Sequence, residues 1–202
     1  MSAGPTHDDI ETLVRGMVLP FYHVQRDTLL PLSNRRWEND AEHSWSVAFL
    51  ACALAPQIDA TLNVGLVAQF ALAHDIIEIY ADDTSPFDSH EKRSSKLARE
   101  SAALDRLAVE YAHFPWIVET VKAYERKDTD EARFVGAIDK YITVLFDYID
   151  EGRQLREYKL THEAYAKSLE TQRKKVHQHP GVAVYYEQIR ALLADRPDFF
   201  HQ

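Results

Sequence analysis

Along most of this chain the apolar residues recur at intervals of three and four, the period of an α-helix with one buried face. The clearest stripe is Phe134, Ile138, Ile142, Leu145 and Ile149, preceded by Thr129 as a cap and by Asp130 and Glu131 in the first turn. Ile10, Leu13, Val14, Met17, Val18 and Phe21 draw another, with Asp8 or Asp9 near its start and Pro20 disturbing its end. Asp40 reads as the N-cap of a helix carrying Val47, Leu50 and Leu54. A third helix is expected from Leu62 to Tyr80, ended by Asp82-Asp83-Thr84-Ser85-Pro86, and a more polar fourth from Glu91 to Tyr111. Pro115 suits the first turn of a fifth. Glu151-Gly152 closes the sixth helix, the one with the clearest stripe, and Thr161 and Pro180 open two more. The stretch Gln25–Asn39 lacks the period and holds Pro31, Ser33 and Asn34, so it reads as a loop. The expectation is an all-α single domain over 1–202, of about eight helices. Its core lies near 38–150, with C-terminal helices at 160–195 packed on it.

Charge excludes one large class of function. Asp and Glu number 32 against 23 Lys and Arg, a net charge of −9. Such a chain lacks the basic face that displaces counterions from nucleic-acid phosphates. Cys52 is the single cysteine, so neither an intrachain disulfide nor a thiolate zinc site is available. The opening MSAGPTHDD lacks the basic and apolar segments of a signal peptide. No apolar run approaches the roughly 20 residues of a membrane span. The expectation is a cytoplasmic globular protein with neither nucleic acid nor membrane as partner.

Ionisable residues stand where the apolar faces should be. His43 precedes Val47 by four residues and shares its inward face; His74 follows Phe70 by four. Asp75 follows Ala71 by four, and Asp139 flanks the stripe between Val135 and Ile142. A buried ionisable group costs free energy unless it is paired or bound to a metal. Two His and two Asp on separate helices have a simple joint explanation in one divalent ion held by imidazoles and carboxylates, with Mn, Co, Mg, Fe, Ni or Zn all compatible. The alternative is a set of mutually satisfied polar residues in the core.

The segments AEHSWSVAFLACAL, ALAHDIIEIYADD and FVGAIDKYI resemble the H…HD…D signature of the HD-domain metal-dependent phosphohydrolases. His74 follows His43 by 31 residues and Asp139 follows Asp75 by 64, spacings that fit the family. The flanking ENDAEHS and HDxxExxxxD are most similar to the 5′-deoxynucleotidases, helical and usually dimeric enzymes that dephosphorylate deoxyribonucleoside monophosphates. The resemblance implies His43, His74, Asp75 and Asp139 as metal ligands, and catalytic roles for Glu78 and Asp83. It further implies a nucleotide substrate and a homodimer. The chemistry is coherent by itself, since phosphomonoester hydrolysis needs an activated water and neutralised phosphate oxygens.

Phosphate also calls for cations. Arg36 matches an arginine of the deoxynucleotidase pattern, and Arg26 a second; plain surface charge is the alternative for both. Leu29 stands near the family's tryptophan, for which Trp37 can substitute. The loop Arg26–Arg36 is short of cations for three phosphates, which favours a monophosphate substrate. Competing expectations are a deoxynucleoside triphosphate triphosphohydrolase and a non-catalytic HD domain for sensing or assembly. His90 and His113 are weak candidates for a second metal, and His177 and His179 for adventitious metal binding.

Overall fold

The computed structural model of the chain describes residues 4–85 and 88–201; Pro86, expected to help end the third helix, lies outside them. The first helix, α1 (His7–Leu13), is capped by Thr6, with Asp8 and Asp9 in its first turn as expected. The Thr6 hydroxyl accepts the Asp9 N–H while the Asp9 carboxylate accepts the Thr6 N–H. The helix runs on through a π turn (Val14–Val18) into α2 (Leu19–Phe21). Gly16 lies in that turn because a Cβ there would collide with the Tyr111 phenol.

The stretch expected as a loop is instead a hairpin: β1 (Gln25–Leu29) pairs antiparallel with β2 (Trp37–Asn39). The cause lies far along the chain. The Gln154 side-chain oxygen accepts the Leu29 N–H at 2.7 Å, and its amide donates to the Asp27 carbonyl at 2.6 Å. The Arg153 guanidinium donates to the carbonyls of Leu30 and Ser33. Gln154 and Arg153 belong to α9 (Arg153–Glu157), a short helix absent from the sequence reading. Backbone groups that two short strands cannot satisfy between them are thus satisfied from the helical body.

Asn39, not Asp40, caps α3 (Asp40–Ile58), in a reciprocal pair with Glu42. The expected third helix is two pieces, α4 (Val64–Ala73) and α5 (Glu78–Ala81), joined by a tight turn. In that turn the N–H groups of Ile76 and Glu78 bond to the carbonyls three residues back. By length and composition Val64–Ala81 could cross a membrane, which the sequence reading did not grant. In the fold it is 44% buried, interrupted by the turn, and carries His74, Asp75 and Glu78.

The remaining helices follow the sequence expectation closely. They are α6 (His90–Glu110), α7 (Pro115–Arg126), α8 (Asp130–Ile149), α10 (His162–Val176) and α11 (Pro180–Ala194). Thr129 and Thr161 cap α8 and α10, and Pro115 and Pro180 occupy first turns. Gly152 opens α9 at φ 66°, where a side chain would also strike Phe199. Apart from the hairpin the fold is all-α. The central helix α8 packs on α3, α4, α7, α9, α10 and α11. It buries Phe134, Val135, Ile138, Ile142 and Val144, with Asp139 among them. A second core gathers Met17, Ile77, Leu107, Ile117 and Val121, and α4 belongs to both through Phe70 and Ala73.

Asp147 of α8 accepts a 2.5 Å hydrogen bond from the Tyr165 hydroxyl of α10. Burial pushes its carboxyl from 3.8 up to about 7, against the Tyr165 bond and with help from Asp150. A carboxyl raised on folding stabilises the protein fully below its unfolded value and loses that contribution as pH rises through its folded value. The window is therefore between 3.8 and about 7. Asp147→Asn keeps a neutral group there. Its melting temperature is expected to gain on wild type by about 5 °C or more between pH 5 and pH 8, followed by circular dichroism. A constant difference across that range would contradict the assignment.

Candidate metal centre

Three separate elements bring the ionisable residues together. His43, fully buried on α3, has Nε2 3.2 Å from Asp139 Oδ1 on α8 and 3.8 Å from Asp75 Oδ2. His74 Nε2, at the end of α4, lies 3.1 Å from the same Asp75 oxygen. One ligand atom each from His43, His74 and Asp75 falls within 4.8 Å of the others. Asp139 joins them through its contact with His43.

The surroundings prepare both imidazoles. His74 Nδ1 lies 2.8 Å from the Ala71 carbonyl. A carbonyl only accepts, so Nδ1 carries a proton and Nε2 is the atom that faces Asp75. His43 Nδ1 faces Glu38 Oε2 at 3.2 Å, and Glu38 is itself fully buried on β2. Glu38, which the sequence reading missed, thus orients His43 as a carboxylate behind an imidazole ligand does. His74 Nε2, Asp40 Oδ2 and Glu78 Oε2 are buried without a hydrogen-bond partner among the described residues. Buried orphan donors of this nitrogen and oxygen type fit a divalent cation.

Electrostatics divide the carboxylates into two kinds. Burial works against the charge of Asp75, yet His74 and Arg26 hold it well below the usual range. Burial is likewise overcome at Asp139, first by Lys140 and then by His43. Asp40 goes the other way, raised to about 7 by burial and by the charge of Asp75. Glu78 rises well above its ordinary value for the same reasons. His43 is pushed up to about 9: burial and Arg26 oppose the proton, but Asp139 and Glu38 outweigh them. The pair held low suits a cation, and the pair raised by burial suits proton exchange.

The centre opens onto a cavity of about 690 Å3 whose wall includes Asp75, Glu78 and Asp83. The charge of Asp83, on that wall, reaches Arg26, Asp40 and Glu78. Arg26 also lies on this wall: Nη1 is 2.7 Å from Asp75 Oδ2 and 2.9 Å from Asp40 Oδ1, while Nε is buried without a hydrogen-bond partner among the described residues. Through Nη1 it neutralises and holds these carboxylates while lining the cavity where it was expected to meet phosphate.

Arg36 is not brought to the cavity. It is mostly exposed, paired with Glu42 at 2.5 Å, and borders an apolar groove elsewhere. Trp37 stacks on Tyr158, whose hydroxyl bonds the cavity residue Asp27, and so stands one layer back. His113 lies beside Asp9 and His177 beside Glu187, while His179 packs on Phe134; none joins the centre, nor does His90 at the start of α6. The few cations of the loop Arg26–Arg36 are supplemented from elsewhere in the chain. Arg93, Lys96, Lys140, Lys167 and Lys175 line the cavity. They come from α6, α8 and α10, so no local run of basic residues announces them.

Residues 22–179 match the model of the HD domain. A structure of a predicted metal-dependent phosphohydrolase from Magnetospirillum magnetotacticum MS-1 superimposes with a TM-score of 0.78. The two chains are 28% identical, over 96% of this chain and 94% of that one. No curated protein sequence matches.

If Glu38 orients a ligand, removing its charge should loosen a bound ion without abolishing binding. Glu38→Gln is expected to weaken divalent-metal affinity about 10- to 100-fold. His43→Ala should leave almost no metal at equal protein concentration, with helix content retained in both. Metal analysis of the purified variants beside a Mn titration checks this, and equal affinities in all three proteins would contradict it.

Proposed function

The chain belongs to the HD-domain family, and from that premise we propose that it is a metal-dependent phosphohydrolase acting on 5′-deoxyribonucleoside monophosphates. The carrying observation is that a His-His-Asp-Asp cluster opens onto a cavity whose other walls bear cations. The resemblance of ENDAEHS and HDxxExxxxD to the deoxynucleotidases supports the substrate class. The similar phosphohydrolase structure supports the reaction type.

His43, His74, Asp75 and Asp139 would hold the ion. When bound, it supplies an activated water and draws charge from the phosphoryl oxygens. Arg26 keeps Asp75 ionised and aligned through its 2.7 Å contact. Glu78 is 6% exposed, and burial raises its carboxyl well above the ordinary value, which suits it to handle a proton at the leaving 5′ oxygen. Asp83, on the loop after α5, offers a second carboxylate on the same wall for the attacking water or a sugar hydroxyl. A sensing or assembly domain has no use for this proton-handling pair. The triphosphohydrolase reading draws its support from the cations on the cavity wall.

The expected homodimer is part of the proposal. On another face a groove of about 1130 Å3 is lined by Met17, Phe21, Leu72, Phe114 and Trp116. Beside it Trp45 and Phe49 stack on each other while 63% and 66% exposed. Apolar area on this scale favours a second copy of the chain. Trp45→Glu combined with Phe49→Glu is expected to halve the mass found by sedimentation; a monomeric wild type would remove the dimer from the proposal.

A panel of nucleoside mono- and triphosphates with Mn, Co and Mg tests the activity. Orthophosphate from deoxynucleoside monophosphates is expected. Glu78→Gln should keep its metal and lose roughly 100-fold or more in turnover. Intact triphosphate released from deoxynucleoside triphosphates, with monophosphates untouched, would establish the other reading.

A further inference from the structure

Three lysines on the cavity wall carry charge that the protein's own carboxylates balance unevenly. Lys140 of α8 has Nζ 2.8 Å from Asp139 Oδ2, which ties it to the metal centre. Lys96 of α6 lies 2.8 Å from Glu100 and 3.8 Å from Glu78. Lys175 of α10 has no carboxylate within ion-pair distance among the described residues, and it lines the same cavity. The largest electrostatic influence on it is a like charge. Lys140 first, then burial, with Lys96 adding, hold the Lys175 ammonium below its ordinary range, and Asp139 and Glu100 offset this only in part.

Helices converging from three parts of the chain do not gather like charges in one concavity without cost. An anion on that wall would remove the repulsion. Of the arginines expected to bind phosphate, Arg26 has Nη1 engaged by Asp40 and Asp75, and Arg36 lies outside the cavity. A phosphate dianion placed against the centre would have Lys140 beside it, since Lys140 is bonded to a centre carboxylate.

We propose that Lys140 and Lys175, with Lys96 beside them, form the seat that takes the phosphate dianion of the substrate next to the metal centre. The proposal rests on the phosphohydrolase reading for its substrate, but the seat itself is a property of α6, α8 and α10. Each ammonium donates to a phosphoryl oxygen, a charge-assisted bond stronger than a neutral one. Lys175, having no competing carboxylate at bonding distance, contributes most per residue to binding the substrate.

The test uses the full chain loaded with Mn, and Lys175→Gln beside Lys175→Arg. Lys175 is exposed at the cavity wall and touches no proposed metal ligand, so the glutamine variant should fold and keep its metal. Orthophosphate binding by calorimetry is expected to weaken about tenfold or more in Lys175→Gln and to recover in Lys175→Arg. KM for the best phosphomonoester of the panel should rise by a similar factor, with metal content unchanged. Orthophosphate binding equal in wild type and Lys175→Gln, or none in wild type at millimolar concentration, would overturn the seat. Lysine-dependent orthophosphate binding in a protein that hydrolyses no nucleotide would keep the seat and overturn the proposed activity.

Discussion

Burial of acid around two imidazoles is the constraint on which the rest of the site depends. Glu38, Asp40, Asp75, Glu78 and Asp139 converge where water is largely excluded, and unpaired carboxylates there are expensive. The fold answers with one buried guanidinium, two histidines and partial protonation. Arg26 reaches Asp40 and Asp75, His43 stands between Glu38 and Asp139, and Lys140 covers the far oxygen of Asp139. Asp75 and Asp139 are held low by the cations around them, while burial and the charge of Asp75 drive Asp40 and Glu78 up. One network therefore holds some carboxyls low and raises others with the same residue chemistry.

That division depends on the hairpin. Arg26 and Glu38 sit on facing strands, so the pairing of β1 with β2 delivers a cation and an orienting carboxylate together. The hairpin in turn depends on Gln154 and Arg153, more than 100 residues away. The chain binds α9 to the strands and the strands to the centre, and α8 supplies Asp139 from the middle of the apolar core. Rigidity at the centre thus comes from the helical body, while the cavity beyond it is walled by longer, more polar helices.

Much of this was legible in advance, and for a definite reason. Helices α6, α7, α8, α10 and α11 announce themselves because caps, first-turn prolines and apolar stripes are local signals. His43, His74, Asp75 and Asp139 stand out because each interrupts an apolar face, an anomaly visible without knowing what lies opposite. Glu38 does not stand out. It sits in a stretch with no helical period, and only strand pairing turns it toward His43. Arg26 and Arg36 look alike in sequence, yet one is buried among acids and the other faces solvent. The break between α4 and α5 is equally silent, since the apolar period runs straight through it.

What the sequence alone determined is the all-α class, most helix boundaries, and the acid and imidazole residues brought to one place. Those properties follow from periodicity, capping and the cost of burying charge, which act within a few residues. The tertiary structure decided the hairpin, the role of Glu38, the division between Arg26 and Arg36, and the meeting of Lys96, Lys140 and Lys175 on one wall. Each of these is a relation between residues distant in the chain. A lysine on a polar helix face reads the same whether solvent or another lysine lies opposite, and only packing supplies the difference.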